Sequence, residues 1–249
     1  MTPIDPRLVY VDMKTRRAEF HLNALEIAIK DWIDSKPYTI THYDDFDKAI
    51  HVCRIQDKVM PEIIPMLLGD FVCCLRAALD QLAWGLAHLP PLQSFNRTKE
   101  RQISFLIFEE DNSTYKDRRK LFPSTVADII DEFQPYRRGD DYRTHPLWQL
   151  NELWTMDKHR AIPMNSNSFT LYFPILGCRR YLRHFVNALE VCFPLAEFYQ
   201  SPVSLEPTVS IEVLFGEHMG ELVVSINDIR AMNNFVRDDV IPRFTGFFP

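Results

Sequence analysis

The segment Leu75-Arg-Ala-Ala-Leu-Asp-Gln-Leu-Ala-Trp84 lies at the centre of the longest helical pattern in the chain. Apolar residues recur at helical spacing on almost every side of the stretch from Pro61 to His88, and Pro90-Pro91 ends it. A helix that is apolar nearly all round is typical of the centre of a domain, so we predict a helical bundle around it. Trp84 is expected to belong to the core of that bundle.

Shorter patterns on both sides of this helix predict the remaining elements. Helices are expected at residues 14–35, 124–133, 146–159, 178–198 and 227–244, and strands at 38–43, 49–55, 169–173, 209–215 and 221–226. Residues 103–108 are expected to form a short strand or an extended segment. The segment Gly216-Glu-His-Met-Gly220 separates two alternating stretches and predicts a β-hairpin. The sequence shows no repeat or linker and therefore predicts one α+β domain over residues 1–249, a helical bundle with a small antiparallel β-sheet.

Composition excludes several classes of protein. The chain has 249 residues, of which 46% are hydrophobic, and only seven are glycines. The glycine-rich motifs of dinucleotide-binding and P-loop proteins are absent, and so is the G-x-S-x-G motif of α/β-hydrolases. The net charge of −6 argues against wholesale binding to nucleic acid or to an anionic membrane. Residues 90–190, however, hold 15 Lys and Arg against 13 Asp and Glu, which permits a local anion site.

Cysteine usage and the absence of long apolar runs lead us to expect a cytoplasmic protein. The five cysteines are odd in number and lie mostly in apolar stretches, which favours reduced thiols in a reducing compartment. The first residues contain no continuous apolar run, and no uncharged apolar stretch approaches the length of a membrane span. We therefore expect neither a signal peptide nor a membrane partner.

Arg76 and Asp80 are the first candidates for a functional site. They lie four residues apart, on the same side of the predicted central helix and away from its main apolar stripe. An Arg and an Asp on so apolar a helix need partners, because burying an unpaired charge is costly. The favoured interpretation is a buried ion pair that fixes the helix register, and the alternative is a polar patch that lines a site.

The predicted helix from Pro146 to His159 ends in a second group of polar residues. Asp157 shares a helix face with Leu147, Leu150 and Trp154, so it points where the apolar residues point. Lys158, His159 and Arg160 surround the last turn, where cations complement the helix dipole. Alternatively, Asp157 meets Arg76, and His159 and Arg160 hold an anion or move a proton.

Several motifs along the chain resemble an uncharacterised group of bacterial proteins. They are Gly69-Asp70, Leu75-Arg76-x-Ala78-Leu79-Asp80-x-Leu82-Ala83-Trp84, Gln134-Pro135-Tyr136, Pro146-Leu147-Trp148 and Asp157-Lys158-His159-Arg160. The resemblance spans most of the chain, and Asp157 to Arg160 is its most specific element. It implies a bacterial origin and one shared architecture, without an established activity.

The central helix also resembles the R-x4-H signature of HEPN domains. These are helical bundles, and many of them are metal-independent ribonucleases whose Arg and His lie between two protomers. The resemblance implies a HEPN-like core, a homodimer and an RNA substrate, with Arg76, Asp80 and His159 as catalytic candidates. This chain departs from the signature at Gln81, which cannot act as a general acid or base. A second R-x4-H pattern, Arg179 to His184, provides an alternative pair.

No motif for metal or cofactor binding accompanies these residues. The eight histidines are scattered, and His51 and Cys53, two apart on a predicted strand, are too few for a structural zinc site. We predict no metal and no cofactor. Two functions remain: a binding or interaction protein with a structural Arg/Asp/His cluster, and a metal-independent ribonuclease. The corresponding partners are a second copy of the chain, and RNA or another phosphate-containing ligand held by Asp157, Lys158 and Arg160.

Overall fold

The computed structural model describes residues 5–90, 95–159, 162, 166–173, 178–183, 188–199, 208–217 and 222–248. These residues contain both helices and antiparallel strands, so the predicted α+β class is confirmed. The chain divides into two compact units. The first comprises Met1–Leu25, Pro65–Ile162 and Ile226–Pro249, and the second comprises Glu26–Ile64 and Pro163–Ser225. The single-domain interpretation stays a prediction.

Regular elements are numbered here along the chain. The α-helices are α1 (Pro6–Asp34), α2 (Ile63–Ala87), α3 (Arg97–Glu100), α4 (Ser113–Arg119), α5 (Ser124–Glu132), α6 (Pro146–His159), α7 (Leu195–Tyr199) and α8 (Ile226–Asn234). The strands are β1 (Tyr38–Asp45), β2 (Ile50–Asp57), β3 (Ser166–Phe173), β4 (Cys178–Arg183), β5 (Ala188–Pro194), β6 (Thr208–Glu217) and β7 (Leu222–Ser225). Among these residues, no helix combines the length and the apolar composition needed to cross a membrane.

The core of the first unit is built around α2, in agreement with the predicted central helix. Phe71, Leu75 and Leu79 are fully buried, and so are Leu22 of α1 and Leu150 of α6. Burial of each such side chain contributes about 1.5–3 kcal/mol relative to its exposure to water. Because α2 supplies buried residues on several sides, it fixes the positions of the polar side chains that it also carries.

Trp84 does not belong to this core, contrary to the prediction. Its side chain is 45% exposed, and its ring lies 4.3 Å from that of His88. On a helical wheel Trp84 falls on the same strip of α2 as Asp70 and Cys73, which are also exposed. Large size alone therefore does not place this tryptophan inside.

The C-terminal segments form a different structure from the single helix predicted for residues 227–244. Helix α8 ends at Asn234, and the chain continues as a π-helical segment, Phe235–Val240, and a 3-10 segment, Ile241–Phe247. Glu19 of α1 accepts hydrogen bonds from Arg230 and Arg237, both at 3.2 Å, and so ties these segments to α1.

The second unit contains two antiparallel sheets where the sequence predicted one small sheet. Their strand orders are β1-β2-β5 and β4-β3-β6-β7. The predicted hairpins β1–β2 and β6–β7 both form, with Ile40 opposite Ile55 and Phe215 opposite Val224. Residues 103–108, in the first unit, have no regular secondary structure and belong to no strand.

The helix predicted for residues 178–198 is wrong. β4 pairs with β3, β5 pairs with β2, and the only helix described there is α7. Along β5, Val191 and Phe193 are buried while Cys192 and Pro194 are exposed. All four residues are uncharged and weakly polar at most, so the alternation that identifies a strand is hidden in the sequence.

Candidate functional site

The polar side chains of α2 lie along one strip of the helix, and this strip faces α6. Gly69, Cys73, Arg76 and Asp80 follow one another at intervals of four, three and four residues, which places them on one face of a helix. The residues of α6 that they approach are polar or aromatic. The strip is therefore a polar seam within an apolar bundle.

Arg76 is enclosed, and its guanidinium group is occupied by protein partners. The residue is only 6% exposed. Nη2 donates to the carbonyl oxygen of Phe105 at 3.0 Å, Nη1 to Oδ1 of Asn151 at 3.4 Å, and Nε to Oδ2 of Asp80 at 3.3 Å. The indole ring of Trp154 lies 5.4 Å from the guanidinium carbon, within the range of a cation–π interaction. These contacts leave the side chain little opportunity to bind a ligand.

Asp80 completes a clamp on the backbone of Phe105. Its Oδ1 accepts the amide proton of Phe105 at 3.0 Å and lies 3.0 Å from Nη2 of Arg76. Together the two side chains pair both the N–H and the C=O group of Phe105, a residue that is 1% exposed. Because residues 103–108 belong to no helix or sheet, Phe105 depends on side chains for these hydrogen bonds.

Gln134 clamps residues 103–108 at a second point. The side chain is buried and accepts the amide proton of Phe108 at 3.1 Å through Oε1. Its Nε2 donates to the carbonyl oxygens of Leu106 at 2.8 Å and Ile130 at 3.0 Å. Gln134 therefore holds the segment against the C-terminal end of α5.

The residues around Gln134 add a network centred on Asp131. The carboxylate accepts hydrogen bonds from the hydroxyls of Tyr115, at 2.6 Å, and Tyr136, and from Nη2 of Arg137 at 2.9 Å. Burial raises the pKa of Asp131, but these three hydrogen bonds outweigh it and lower the pKa overall. Burial and the bond to Asp131 raise the pKa of Tyr136 to about 12, so both tyrosines stay protonated at neutral pH.

Asp157 lies against the N-terminal part of α2. Its Oδ2 accepts a hydrogen bond from Sγ of Cys73 at 3.4 Å, and a Cβ atom on Gly69 would lie only 2.4 Å from Oδ1. A side chain at residue 69 would therefore displace the Asp157 carboxylate from its present position. Partial burial and the neighbouring carboxylate raise the pKa of the Cys73 thiol to about 11, which keeps it protonated and unreactive at neutral pH.

The expected contact between Arg76 and Asp157 is not among the interactions of the described residues. Both side chains lie in the α2–α6 seam, but Arg76 bonds to Asn151, whereas Asp157 meets Gly69 and Cys73. Asn151 and Asp157 are six residues apart on α6, about 9 Å along a helix, which explains the separation.

The basic residues at the end of α6 lie at the surface. Lys158 and His159 are exposed, and Nζ of Lys158 lies 5.1 Å from the ring centre of Trp154. Arg160 lies outside the described residues. The structure therefore separates an exposed His159 from an enclosed Arg76, although both belong to the predicted catalytic group.

Arg179, the first member of the alternative pair, does not lie on a helix as predicted. Arg179 is on strand β4, where it is opposite Tyr172 of β3, and His184 lies outside the described residues. The helical argument for this pair no longer holds, because the backbone conformation on which its spacing depended is that of a strand at Arg179.

A second polar cluster lies on the β1–β2 hairpin of the second unit. Nδ1 of the buried His51 lies 2.7 Å from Oδ1 of Asp44, and its Nε2 lies 3.1 Å from Nδ1 of His42. The hydroxyl of Tyr199 donates to the other oxygen of Asp44 at 2.6 Å. Burial raises the pKa of the neighbouring Cys53 to about 11. Within the described part of the chain, no three His, Cys, Asp or Glu side chains are grouped so that they could hold a metal ion.

Sequence reasoning missed the partners that explain the α2 residues. Phe105 and Asn151 are far from Arg76 along the chain, and neither belongs to a spacing pattern. The Gln134-Pro135-Tyr136 motif was noticed, but its clamp on residues 103–108 was not predicted. The only available signal was that an isolated extended segment needs side chains to pair its backbone.

Comparison with known proteins adds no assignment: no family model, curated protein or solved structure matches this chain. The resemblances to the bacterial group and to HEPN domains stay predictions.

Proposed function

We propose that this protein is a binding module that associates with a second copy of itself through its first two helices, while its Arg76/Asp80 cluster serves as a structural clamp. The observation that carries the proposal is an exposed apolar strip on α1. Tyr10, Met13 and Phe20 are 62%, 58% and 68% exposed. Their spacing of three and seven residues is typical of a helix–helix seam.

α2 extends this strip and adds complementary charge. Oδ2 of Asp70 lies 3.7 Å from Nδ1 of His21, which places α2 directly beside this part of α1. Met66, one turn before Asp70, is 63% exposed. We call Tyr10, Met13, Arg17, Phe20, Met66 and Asp70 the α1–α2 surface.

A second copy of the chain is the partner that this surface fits best. Arg17 is exposed and lies between Met13 and Tyr10 on the α1 wheel, and the Asp70 side chain is 64% exposed. In a two-fold symmetric dimer the α1–α2 surface of one copy packs against the same surface of the other copy. Arg17 of each copy can then pair with Asp70 of the other. The few apolar anchors predict a modest affinity, with a Kd of about micromolar.

The test is sedimentation velocity across a wide range of protein concentration. We expect the wild type to dimerise and Phe20→Asp to remain monomeric. Val59→Asp is the matched control, because it introduces the same charge at another exposed apolar residue, which is 95% exposed. Arg17→Asp and Asp70→Arg should each weaken the dimer, and the double exchange should restore it. A monomeric wild type, or a double exchange without rescue, contradicts the proposal.

The alternative function, a metal-independent ribonuclease, requires catalytic side chains that RNA can reach. Since Arg76 is enclosed and bonded, such an enzyme would use the exposed His159 with Lys158 at the end of α6, or the alternative pair Arg179 and His184. Incubation of RNA with purified protein in excess EDTA tests this. Cleavage that His159→Ala or His184→Ala abolishes supports the ribonuclease, and an absence of cleavage leaves the binding module.

A further inference from the structure

The two short helices α3 and α4 bring four basic side chains to one region of the first unit. Nη1 of Arg118, in α4, donates to the carbonyl oxygen of Gln102 at 2.9 Å. This hydrogen bond places Arg118 beside the end of α3, which carries Arg97 and Lys99 and is followed by Arg101. The four cations belong to the basic middle of the sequence.

The four cations differ from the basic residues around them in lacking an acidic partner. Within the described part of the chain, no ion pair joins Arg97, Lys99, Arg101 or Arg118 to an acidic side chain. Their neighbours are paired, as Lys116–Asp111 at 3.3 Å, Lys120–Asp117 at 2.8 Å, and Arg119–Asp128. These four cations repel one another and outnumber Glu100, the acidic residue of α3, so the region favours an anion.

A cavity of about 240 Å³ opens between two of these arginines. Arg97, Thr98 and Arg101 line it. Arg97 and Arg101 are one helical turn apart, and the Thr98 hydroxyl supplies a further donor. All three side chains are exposed and able to reach a ligand, in contrast to Arg76.

We propose that this cavity binds the phosphate group of a phosphomonoester or phosphodiester ligand. Two guanidinium forks and a hydroxyl offer several N–H and O–H donors, which suit the multiple oxygens of a tetrahedral phosphate. Arg118 and Lys99 add positive charge beside the cavity. A mononucleotide and a single-stranded RNA present this same chemistry, so the experiment uses both.

Binding is measured by titration calorimetry with inorganic phosphate and with a 5′-mononucleotide, and by fluorescence anisotropy with a labelled single-stranded RNA. We expect at least one of these probes to bind, and Arg97→Glu/Arg101→Glu to weaken it on the order of 100-fold, because two charge-assisted contacts are lost. Thr98→Val, which removes only a hydroxyl, should weaken binding by a few-fold.

The matched control is Lys116→Glu/Lys120→Glu, which changes the net charge by the same amount on cations that are already paired. It should weaken binding less than about threefold, since exposed paired lysines contribute little. Thermal melts by circular dichroism establish that each variant is folded. Binding by the mononucleotide alone identifies a monoester ligand, and binding by RNA alone identifies a phosphodiester; either result supports the site. Failure of all three probes, or equal loss in both double variants, overturns it.

Discussion

The clamp on Phe105 predicts an uneven set of stability changes when its members are replaced. Arg76→Met removes the donor to the Phe105 carbonyl oxygen, which is buried. An unpaired buried carbonyl costs about 1–3 kcal/mol. The Asp80 side chain remains 33% exposed, so water replaces most of its lost contact. We therefore expect Arg76→Met to lower the free energy of unfolding by about 2–3 kcal/mol.

Asp80→Leu should be more damaging. It leaves the Arg76 guanidinium buried without its carboxylate, and it also leaves the Phe105 N–H group without an acceptor. Loss of one partner of a buried ion pair costs about 3–5 kcal/mol. In the double variant Arg76→Met/Asp80→Leu, no charge remains, but both backbone groups of Phe105 are unpaired. The double variant should therefore resemble Asp80→Leu alone and show neither full recovery nor the sum of the single losses.

Urea unfolding followed by circular dichroism measures these differences, provided that the dependence on urea concentration is the same in all variants. Lys120→Met is the control, because it removes an ion pair whose two side chains are both 75% exposed. It should change the free energy of unfolding by less than about 0.5 kcal/mol. An Arg76→Met protein as stable as this control, or additive losses in the double variant, would falsify the clamp.

Two further predictions use the same urea assay. Gly69→Ala should change the free energy of unfolding little, because the gain of up to about 1 kcal/mol in helix propensity is offset by displacement of the Asp157 carboxylate from Cys73; in an Asp157→Ala background the same substitution should stabilise by up to about 1 kcal/mol, and equal changes in both backgrounds contradict the contact. Burial and, to a smaller extent, the charge of Arg138 lower the pKa of His145 in the folded protein to about 4. His145 is therefore protonated near pH 6.5 in the unfolded chain, but only near pH 4 in the folded protein. Stability should therefore fall between these values by up to about 3 kcal/mol as the pH decreases, and His145→Asn should lose this part of the dependence; a variant with an unchanged pH profile contradicts it.

The sequence predicted best those elements whose pattern is local. Helix α6 has the predicted bounds, because Pro146 opens it and apolar residues keep helical spacing to its last turn. The β6–β7 hairpin likewise follows from two alternating stretches on either side of a turn. Strand β5 lacks such an alternation of apolar and polar residues, because its exposed positions include Cys192 and Pro194, which are not polar residues. Its identity as a strand depends on pairing with β2, which is distant in sequence.

In the candidate site, too, contacts between residues close in sequence were predicted and contacts between distant residues were not. The Arg76–Asp80 pair was predicted because two residues four apart on a helix are neighbours. The contact of Arg76 with Asn151, 75 residues away, follows no spacing rule and depends on how α2 packs against α6. The sequence therefore predicts which charged residues need partners, whereas only the packed helices determine which partners they find.

This division also explains why the strongest motifs of the chain give little information about its ligands. Arg76, Asp80 and Gln134 all bond to the backbone of residues 103–108, an irregular segment that pairs with no strand among the described residues. Any chain that packs such a segment into its core needs side chains of this kind, whatever it binds, because unpaired buried backbone groups are costly. The groups proposed above to meet a ligand or a second copy are exposed instead, and they lie on α1, at Met66 and Asp70 of α2, and around α3. Function should therefore be tested first at exposed residues, within the motifs or outside them, whose side chains no requirement of folding explains.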